Sequence, residues 1–568
     1  MSRYERITGR PPPEPEPARR RELVPVPAGG PTFLGRVMAM LGLSGRAPLR
    51  ILAVPRDPIV GNKGIGLALL EGRFIAGAHE LDVEDLYRAD SGLPAEVAER
   101  VHSFAWLRDL AAAATHERGR DVGEYLTRAW LSQHSEPGAG LAWRADMIGR
   151  RLLSWPAYAP YILSSRDSDY RARVLRTLSR SAREAERRAD SAAIGLPRIA
   201  AWSGVVASSL TLQGRTERLA KGEAGLARAI RTGLSEDGGL VSRAPHQQLD
   251  LVELFALLRA SYGAIHGVMP DWLRDAQEGA LSALLSTVLG DAGLSSWQGG
   301  NAGDPHRIVA AVEASAAHAG PLRQSRGWGY QRLQGKDSLV VLDGAPPPPP
   351  KALSGGCAST LAIEFSAGTQ RLVINCGGGG DASGQLPDEL LHLLRSTAAH
   401  STLTLGDRNS TAILDGGALG KGVGKVDLER GTRDGHALVE ASHDGYVRRF
   451  GLVHQRTVLL APDGKALTGE DSLIPSGRKR RKADVPYAVR FHLHPAVEVT
   501  STADGRGALL RVRGHKAWQF RCRGGTLGIE ESLWIDGSAV PHATLQLVIS
   551  GETPPDGMTI SWEFNEAG

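Results

Sequence analysis

Apolar side chains between residues 92 and 290 recur every three to four positions, the spacing of a helix that buries one face. Val97, Val101, Phe104 and Leu107 are one such set. Turn-forming clusters of Gly, Pro and Asp, such as EDGG at 236–239, interrupt the pattern at intervals. This part of the chain is therefore predicted to form antiparallel helices of similar length, arranged as a bundle, a solenoid or a toroid.

After residue 325 the apolar pattern alternates, which is typical of half-buried strands. The DG pairs at 463–464 and 504–505 are tight-turn signals between strands. Many short strands joined by turns favour an antiparallel sandwich over a parallel sheet. The predicted fold is α+β, with a helical half before a β half. The predicted strands are 339–342, 361–365, 372–374, 401–405, 457–460, 487–493, 508–512, 518–520, 544–549 and 559–562.

Three regions follow from these changes in pattern. Residues 1–45 are rich in Pro and Arg, cannot bury a core, and are predicted to be disordered. Residues 46–320 are assigned to the helical domain and residues 321–568 to the β domain. A polyproline stretch at 346–350 is predicted to form a stiff loop near their junction.

Composition excludes several classes of protein. The 568 residues carry a formal net charge of +5, which equals the charge of one basic run at 478–482. That run lacks an aromatic residue that could stack a base, so we expect a solvated loop and no nucleic-acid partner. No apolar run approaches the ~20 residues of a transmembrane helix. No secretory signal peptide is visible, and three cysteines are too few for a disulfide scaffold.

A series of short phrases resembles the heparinase II/III-like family along roughly residues 50–565. The resemblance implies an N-terminal α/α toroid, that is, an incomplete helical barrel, followed by a C-terminal antiparallel β-sandwich. The phrases are, in order, LAWR at 141–144, GRR at 149–151, DGG at 237–239, SRAP at 242–245, GYQRL at 329–333, RLVINCG at 371–377, TAAHST at 397–402, SHDGY at 442–446, FGLVH at 450–454 and RFHLHP at 490–495.

The chemistry that this resemblance implies is polysaccharide lysis by β-elimination on an acidic, uronic-acid-containing polymer. A base removes the C5 proton, an acid protonates the leaving O4, and cations or donors neutralise the carboxylate. Because no water is added, the paired carboxylates of glycosidases are not required. The family suggests the cell envelope or periplasm, although no signal peptide supports export. The sequence leaves the oligomeric state open.

The chain departs from the family pattern at its catalytic positions. An Asn-His pair of the family falls on Pro197 and Arg198, and a toroid Tyr falls on Gln247. The catalytic His of the β domain falls on Gly355. These departures put catalysis in doubt.

The family's metal ligands fall on Cys357, Asn375 and His400. A Cys thiolate binds zinc well and a neutral Asn binds it weakly, so the resemblance implies a degraded zinc site. Alternatively, Cys357 packs as a small apolar residue and His400 hydrogen-bonds across the sheet.

Three residues are candidates for acid–base catalysis. His400 precedes a predicted strand, where it is either a base or ligand, or a turn residue that caps backbone groups. Tyr446 follows a turn and is either the acid or a ring packed over a hairpin. Tyr330 lies at the domain junction, in a groove wall or in the core.

Five further residues are candidates for substrate binding, because arginine matches a carboxylate with two hydrogen bonds and histidine can reach a cleft. The alternatives are salt bridges, helix packing or a hydrogen-bonded pair within a sheet. The candidates are Arg243, Arg150, Arg332, His443 and His492.

Two functions are consistent with these observations. The first is a polysaccharide lyase, favoured by a resemblance that extends along most of the chain. The second is a non-catalytic or divergent glycan-binding protein on the same scaffold, involved in cell-envelope polysaccharide handling. The missing catalytic residues favour the second.

Overall fold

The computed structural model describes residues 50–567, apart from 78, 88–91, 354, 379–385, 416 and 478–482. The segment 1–45, predicted to be disordered, and the basic run at 478–482 lie outside the described residues. None of the described helices is long and apolar enough to cross a membrane.

The first half of the described chain is helical, as its apolar spacing predicts, with one β-hairpin formed by β1 (Arg73–Ala76) and β2 (His79–Asp82). The helices are α1 (Lys63–Leu70), α2 (Ala95–Ser103), α3 (Trp106–Ala113), α4 (His116–His134), α5 (Ala145–Ala157), α6 (Ala159–Ile162), α7 (Ser168–Arg188), α8 (Leu196–Thr211), α9 (Leu219–Gly233), α10 (Pro245–Gly263), α11 (Asp271–Leu285) and α12 (Pro305–Ser315).

Helix α8 lies at the centre of the helical half and is buried along nearly its whole length. It packs against α5 at two glycines: a Cβ atom on Gly204 would lie 2.4 Å from the Cα atom of Gly149. Only residues without a side chain allow this close approach of two helix backbones. Trp130 and Trp155, both buried, pack edge to face in the same core with ring centroids 5.9 Å apart.

The second half of the described chain consists of antiparallel strands with two short α-helices, α13 (Asp388–Leu393) and α14 (Val447–Phe450). The strands are β3 (Tyr330–Gln334), β4 (Ser338–Asp343), β5 (Ile363–Ala367), β6 (Gln370–Ile374), β7 (Leu403–Leu405), β8 (Val426–Arg433), β9 (His436–His443), β10 (Leu452–Leu460), β11 (Ala466–Pro475), β12 (Val485–Leu493), β13 (Glu498–Ser501), β14 (Gly507–Arg511), β15 (Trp518–Arg523), β16 (Thr526–Ile535), β17 (Pro541–Thr553) and β18 (Met558–Glu566).

Two large sheets form the sandwich within the described residues. The inner sheet has the order β16-β17-β12-β6-β5-β4-β3, with β7 paired to β12. The outer sheet has the order β13-β14-β15-β18-β11-β10-β9-β8. The predicted antiparallel β-sandwich and the helical toroid before it are therefore confirmed.

Strand β4 of the inner sheet is buried on both faces, and it joins the two halves of the protein. Along β4, Val340 and Leu342 belong to the core between the sheets. Leu339 and Val341 point to the opposite face and belong to the core of the helical half. Because successive strand residues face opposite sides, one strand contributes to both cores.

Candidate functional site

The contact between the helical half and the inner sheet contains a buried polar network, here called the seam. Its residues are Arg243, Gln298, Tyr330, Asp343, Cys357 and Ser359, and each is buried. Arg243 and Gln298 both have left-handed backbone conformations, with φ of 54° and 52°. Such conformations are uncommon for residues with side chains and need support from the surrounding structure.

The guanidinium group of Arg243 makes four hydrogen bonds to groups of the protein itself. Its Nη2 donates to Asp343 Oδ1 at 2.5 Å and its Nε donates to the Trp328 carbonyl at 3.1 Å. Its Nη1 donates to the carbonyl of Pro346 at 2.8 Å. Arg243 lies two residues before α10 and ties the start of that helix to the end of β4. A buried guanidinium with four of its five N–H groups engaged has little donor capacity left for a substrate carboxylate.

Tyr330 opens β3 and is enclosed by the seam. Its hydroxyl donates to the Arg243 carbonyl at 2.5 Å. Its ring stacks on Trp297 with centroids 5.5 Å apart, and the Arg243 guanidinium lies 4.7 Å from its centroid. Burial is the main cause that raises the pKa of Tyr330 well above its usual value. Of the two interpretations of Tyr330, the structure places the ring in the core.

Cys357 and Ser359 complete the seam from the loop before β5. The Ser359 hydroxyl donates to Asp343 Oδ2 at 2.6 Å and accepts from Gln298 Nε2 at 3.1 Å. The Cys357 amide donates to Gln298 Oε1 at 2.9 Å. Burial raises the pKa of the Cys357 thiol to about 11, so it is protonated at neutral pH.

His400, Asn375 and His492 form a second buried group beside the seam. His400 Nδ1 lies 2.7 Å from the Ser396 carbonyl and donates to it. Burial lowers the pKa of His400 to about 4. His492 Nε2 donates to the Ala398 carbonyl at 2.9 Å, and its Nδ1 lies 2.7 Å from the Ser532 hydroxyl. Both rings are neutral at pH 7.

The residues proposed for zinc do not fit the metal as they are arranged. Asn375 Oδ1 accepts from the Ser401 amide at 2.9 Å, and Asn375 Nδ2 donates to Glu364 Oε1 at 3.0 Å. Cys357 carries a proton rather than the thiolate that zinc prefers. Across the described residues, no group of three or more His, Cys, Asp or Glu side chains could hold a metal ion. The zinc site stays a prediction that this geometry does not support.

Tyr446 and His443 lie in the core between the sheets rather than in the seam. The Tyr446 hydroxyl donates to the Leu403 carbonyl at 2.9 Å. His443 Nδ1 accepts from the Gly445 amide at 3.1 Å, and its Nε2 lies 3.2 Å from His454 Nδ1. Burial is the largest cause that lowers the pKa of both histidines.

The chain of hydrogen bonds continues from His454 to a buried ion pair. His454 Nε2 donates to Asp471 Oδ1 at 2.7 Å, and Arg456 Nε donates to the same oxygen at 2.7 Å. Arg456 Nη1 reaches across to the Ser401 carbonyl at 2.7 Å. This network links the outer sheet to the group around His400.

Arg332 and Arg150 lie apart from each other. Arg332, on β3, donates to the Val288 carbonyl at the end of the helical half. Arg150 lines a separate cavity of about 490 Å³ in the helical half and donates to Asp250 at 3.1 Å.

The cavity beside Arg150 offers no excess of positive charge. Its four lining arginines all pair with carboxylates. Six acidic side chains line the same cavity: Asp57, Glu99, Asp109, Asp250, Glu253 and Asp304. Such a wall repels a uronate polymer rather than attracting it.

The structure thus brings Arg243, Tyr330 and Cys357 together, with His400 and Asn375 in an adjoining group. Sequence reasoning missed Asp343, Gln298 and Asp471, which satisfy these polar side chains. Asp343 could have been noticed in the sequence, because it is an acidic residue at the end of an apolar strand and directly before a glycine.

Comparisons with known proteins agree with this architecture. Residues 317–563 match the family model described as heparinase II/III-like, C-terminal. The chain is also similar to FtsZ-localized protein C of Caulobacter vibrioides, with 27% identity over 539 residues, 92% of this chain and 91% of the relative.

Solved structures of lyases share the fold at low sequence identity. Heparinase III matches with a TM-score of 0.67 and 14% identity, over 93% of this chain and 90% of that protein. A mutant of the heparan sulfate lyase HepC from Pedobacter heparinus matches with a TM-score of 0.60 and 15% identity, over 89% and 83% of the two chains. The expected resemblance is confirmed: the chain has a heparinase II/III-like fold, and residues 317–563 match the model of that family's C-terminal region.

Proposed function

We propose that the protein acts by binding rather than by β-elimination, as a divergent protein on a polysaccharide-lyase scaffold. One observation carries this proposal: the polar groups of the seam bond to one another and to nearby backbone carbonyls. Arg243 is held by Asp343, and the Tyr330 hydroxyl is held by the Arg243 carbonyl. β-Elimination needs a cation or donor free to neutralise a uronate carboxylate, and a base and an acid that reach the sugar.

The place of action proposed for this binding protein is the bacterial cell-division apparatus. The support is the relative named FtsZ-localized protein C, which is similar over nearly the whole length of both chains. We expect the purified full-length protein to sediment with FtsZ filaments from the same bacterium and to stay in the supernatant without them. A protein found in the supernatant under both conditions would contradict this role.

A polysaccharide lyase is the second candidate. The lyase fold along most of the chain favours it, as does His400, whose pKa of about 4 leaves the ring unprotonated at neutral pH, as a base requires. The test is ultraviolet absorbance of the unsaturated uronate product during incubation with a panel of uronic-acid polymers, with heparinase III as positive control. We expect no rise. A rise that His400→Ala abolishes would instead support the lyase.

The same polymers also test the glycan-binding alternative. Saturable binding without an absorbance rise would support a glycan-binding protein on this scaffold. Absence of both binding and cleavage, together with sedimentation with FtsZ, would restrict the function to the protein partner.

A further inference from the structure

The outward side of helix α7 carries a line of arginines, here called the arginine face. Its members are Arg173, Arg176, Arg180, Arg183 and Arg187. They are spaced three and four residues apart, so at 100° per residue they fall within an arc of about 80°. At 1.5 Å per residue the line is about 21 Å long.

The opposite side of α7 fixes this orientation. Val174, Leu178, Ala182 and Ala185 are fully buried in the core of the helical half. Helix α7 therefore cannot rotate without exposing its apolar side, and the arginines are held in solvent. Arg173, Arg176, Arg183 and Arg187 are exposed, and Arg180 is partly exposed.

Most of the charge on the arginine face is not neutralised. Arg180 contacts Glu136 and Arg187 contacts Glu184. Among the residues that the structure describes, Arg173, Arg176 and Arg183 have no carboxylate within ion-pair distance; Arg183 donates only to the Ser179 hydroxyl, at 3.3 Å. Arginines elsewhere on the helical half, such as those at 128 and 144, do pair with carboxylates.

Positive charge continues from the arginine face to the start of α9. Arg215, Arg218 and Lys221 share the single carboxylate of Glu186. Burial is the main cause that lowers the pKa of Arg215, and the positive charges of Arg218 and Arg183 lower it further. Because Glu186 lies on α7 next to Arg187, its partners Arg218 and Lys221 lie beside the arginine face and extend its positive charge.

The side chains beside this surface restrict the class of partner. No large apolar side chain between residues 126 and 264 is exposed in the described structure. Membrane insertion needs apolar side chains, and binding of single-stranded nucleic acid relies on exposed aromatic rings. The surface offers guanidinium groups and the ammonium group of Lys221, and guanidinium groups match carboxylates with paired hydrogen bonds. Its shape, long and one helix wide, suits a linear chain.

We propose that the arginine face, with Arg218 and Lys221, binds a protein segment rich in Asp and Glu. The inference stands on charge and geometry alone and does not depend on a role with FtsZ. The interaction is electrostatic, so its affinity falls as ionic strength rises.

The experiment measures fluorescence anisotropy of a labelled poly-L-glutamate peptide with the full-length protein. The variant substitutes Gln at Arg173, Arg176, Arg183 and Arg187. The control variant removes the same charge from exposed arginines elsewhere, by substituting Gln at Arg118, Arg274, Arg323 and Arg511. We expect the first variant to bind at least tenfold more weakly and the control to stay within twofold of the wild type.

Equal binding by the wild type and the first variant would overturn the proposal, as would an equal loss in the control. The same arginines are also tested against vesicles of phosphatidylglycerol and against oligo-dT. Tighter binding of either probe than of poly-L-glutamate, lost with the arginine face, would overturn the choice of a protein partner.

Discussion

Arginine has opposite surroundings in the seam and on the outer side of α7. Arg243 is buried and holds Asp343 and backbone carbonyls, whereas Arg183 is exposed and has no carboxylate partner among the described residues. A buried charge must be compensated by the protein that encloses it, and an exposed charge need not be. Arginine in the seam is therefore a structural element, and arginine on α7 is available to a partner.

The largest expected effect comes from removing the carboxylate that pairs with the buried Arg243 guanidinium in the seam. Asp343→Ala leaves the buried Arg243 guanidinium without its carboxylate and removes the acceptor of Ser359. We expect the free energy of unfolding to fall by about 3–5 kcal/mol, measured by urea denaturation. Asp427→Ala, which removes an exposed partner of Lys425, is the control and should change stability by less than about 1 kcal/mol. Similar losses of stability in both variants would contradict the distinction between a buried and an exposed ion pair.

The pH dependence of stability tests the buried group beside the seam, where Glu364 accepts a hydrogen bond from Asn375. Burial raises the pKa of Glu364 to about 7, from an ordinary value of 4.5. Between these values the folded protein holds a proton that the unfolded chain has lost, so stability falls as pH rises from 4.5 to 7. Glu364→Gln should remove this slope, on the order of 3 kcal/mol across the interval, in urea denaturation at several pH values. Parallel profiles for the two proteins would show that Glu364 does not titrate there.

A smaller effect is expected from Tyr330→Phe. The substitution removes the hydroxyl and leaves the buried Arg243 carbonyl without that donor. We expect a loss of about 1–2 kcal/mol in the free energy of unfolding. A catalytic acid would behave differently: Tyr330→Phe would abolish product formation from uronic-acid polymers and leave stability nearly unchanged.

The smallest effect is expected on the outer side of α7. Arg176 is exposed and has no ion-pair partner among the described residues, so Arg176→Gln should change the free energy of unfolding by less than about 0.5 kcal/mol. Thermal denaturation of the variant and of the wild type measures this change in stability. A larger loss would mean that the arginine face supports the fold rather than a partner.

The amphipathic helices and the strands could be predicted from the sequence because each keeps one apolar and one polar side. Helix α8 has no such pattern, since it is buried nearly all round and its polar residues, apart from Arg198, are buried serines and a threonine. The hairpin of β1 and β2 is too short to give a clear alternation. The spacing of apolar residues therefore located the helices that keep an exposed side and missed α8 at the centre of the toroid.

Candidate residues could be taken from the sequence, but not their contacts. Tyr330 and Arg243 touch, as a shared site requires, while Tyr446 bonds to the Leu403 carbonyl between the sheets. The decisive partner of Arg243 is Asp343, a hundred residues further along the chain. No local spacing relates two such positions, so only the fold reveals that the arginine is already occupied.

The reactivity of the Cys357 thiol tests most directly whether the seam is closed. A variant carrying Cys376→Ala and Cys522→Ala leaves Cys357 alone, buried beside Gln298. Mixed with a thiol reagent, the folded variant should react only as fast as it unfolds, while the urea-unfolded protein reacts at once. Rapid labelling of folded protein, slowed by an acidic oligosaccharide, would show instead an open cleft that binds glycan.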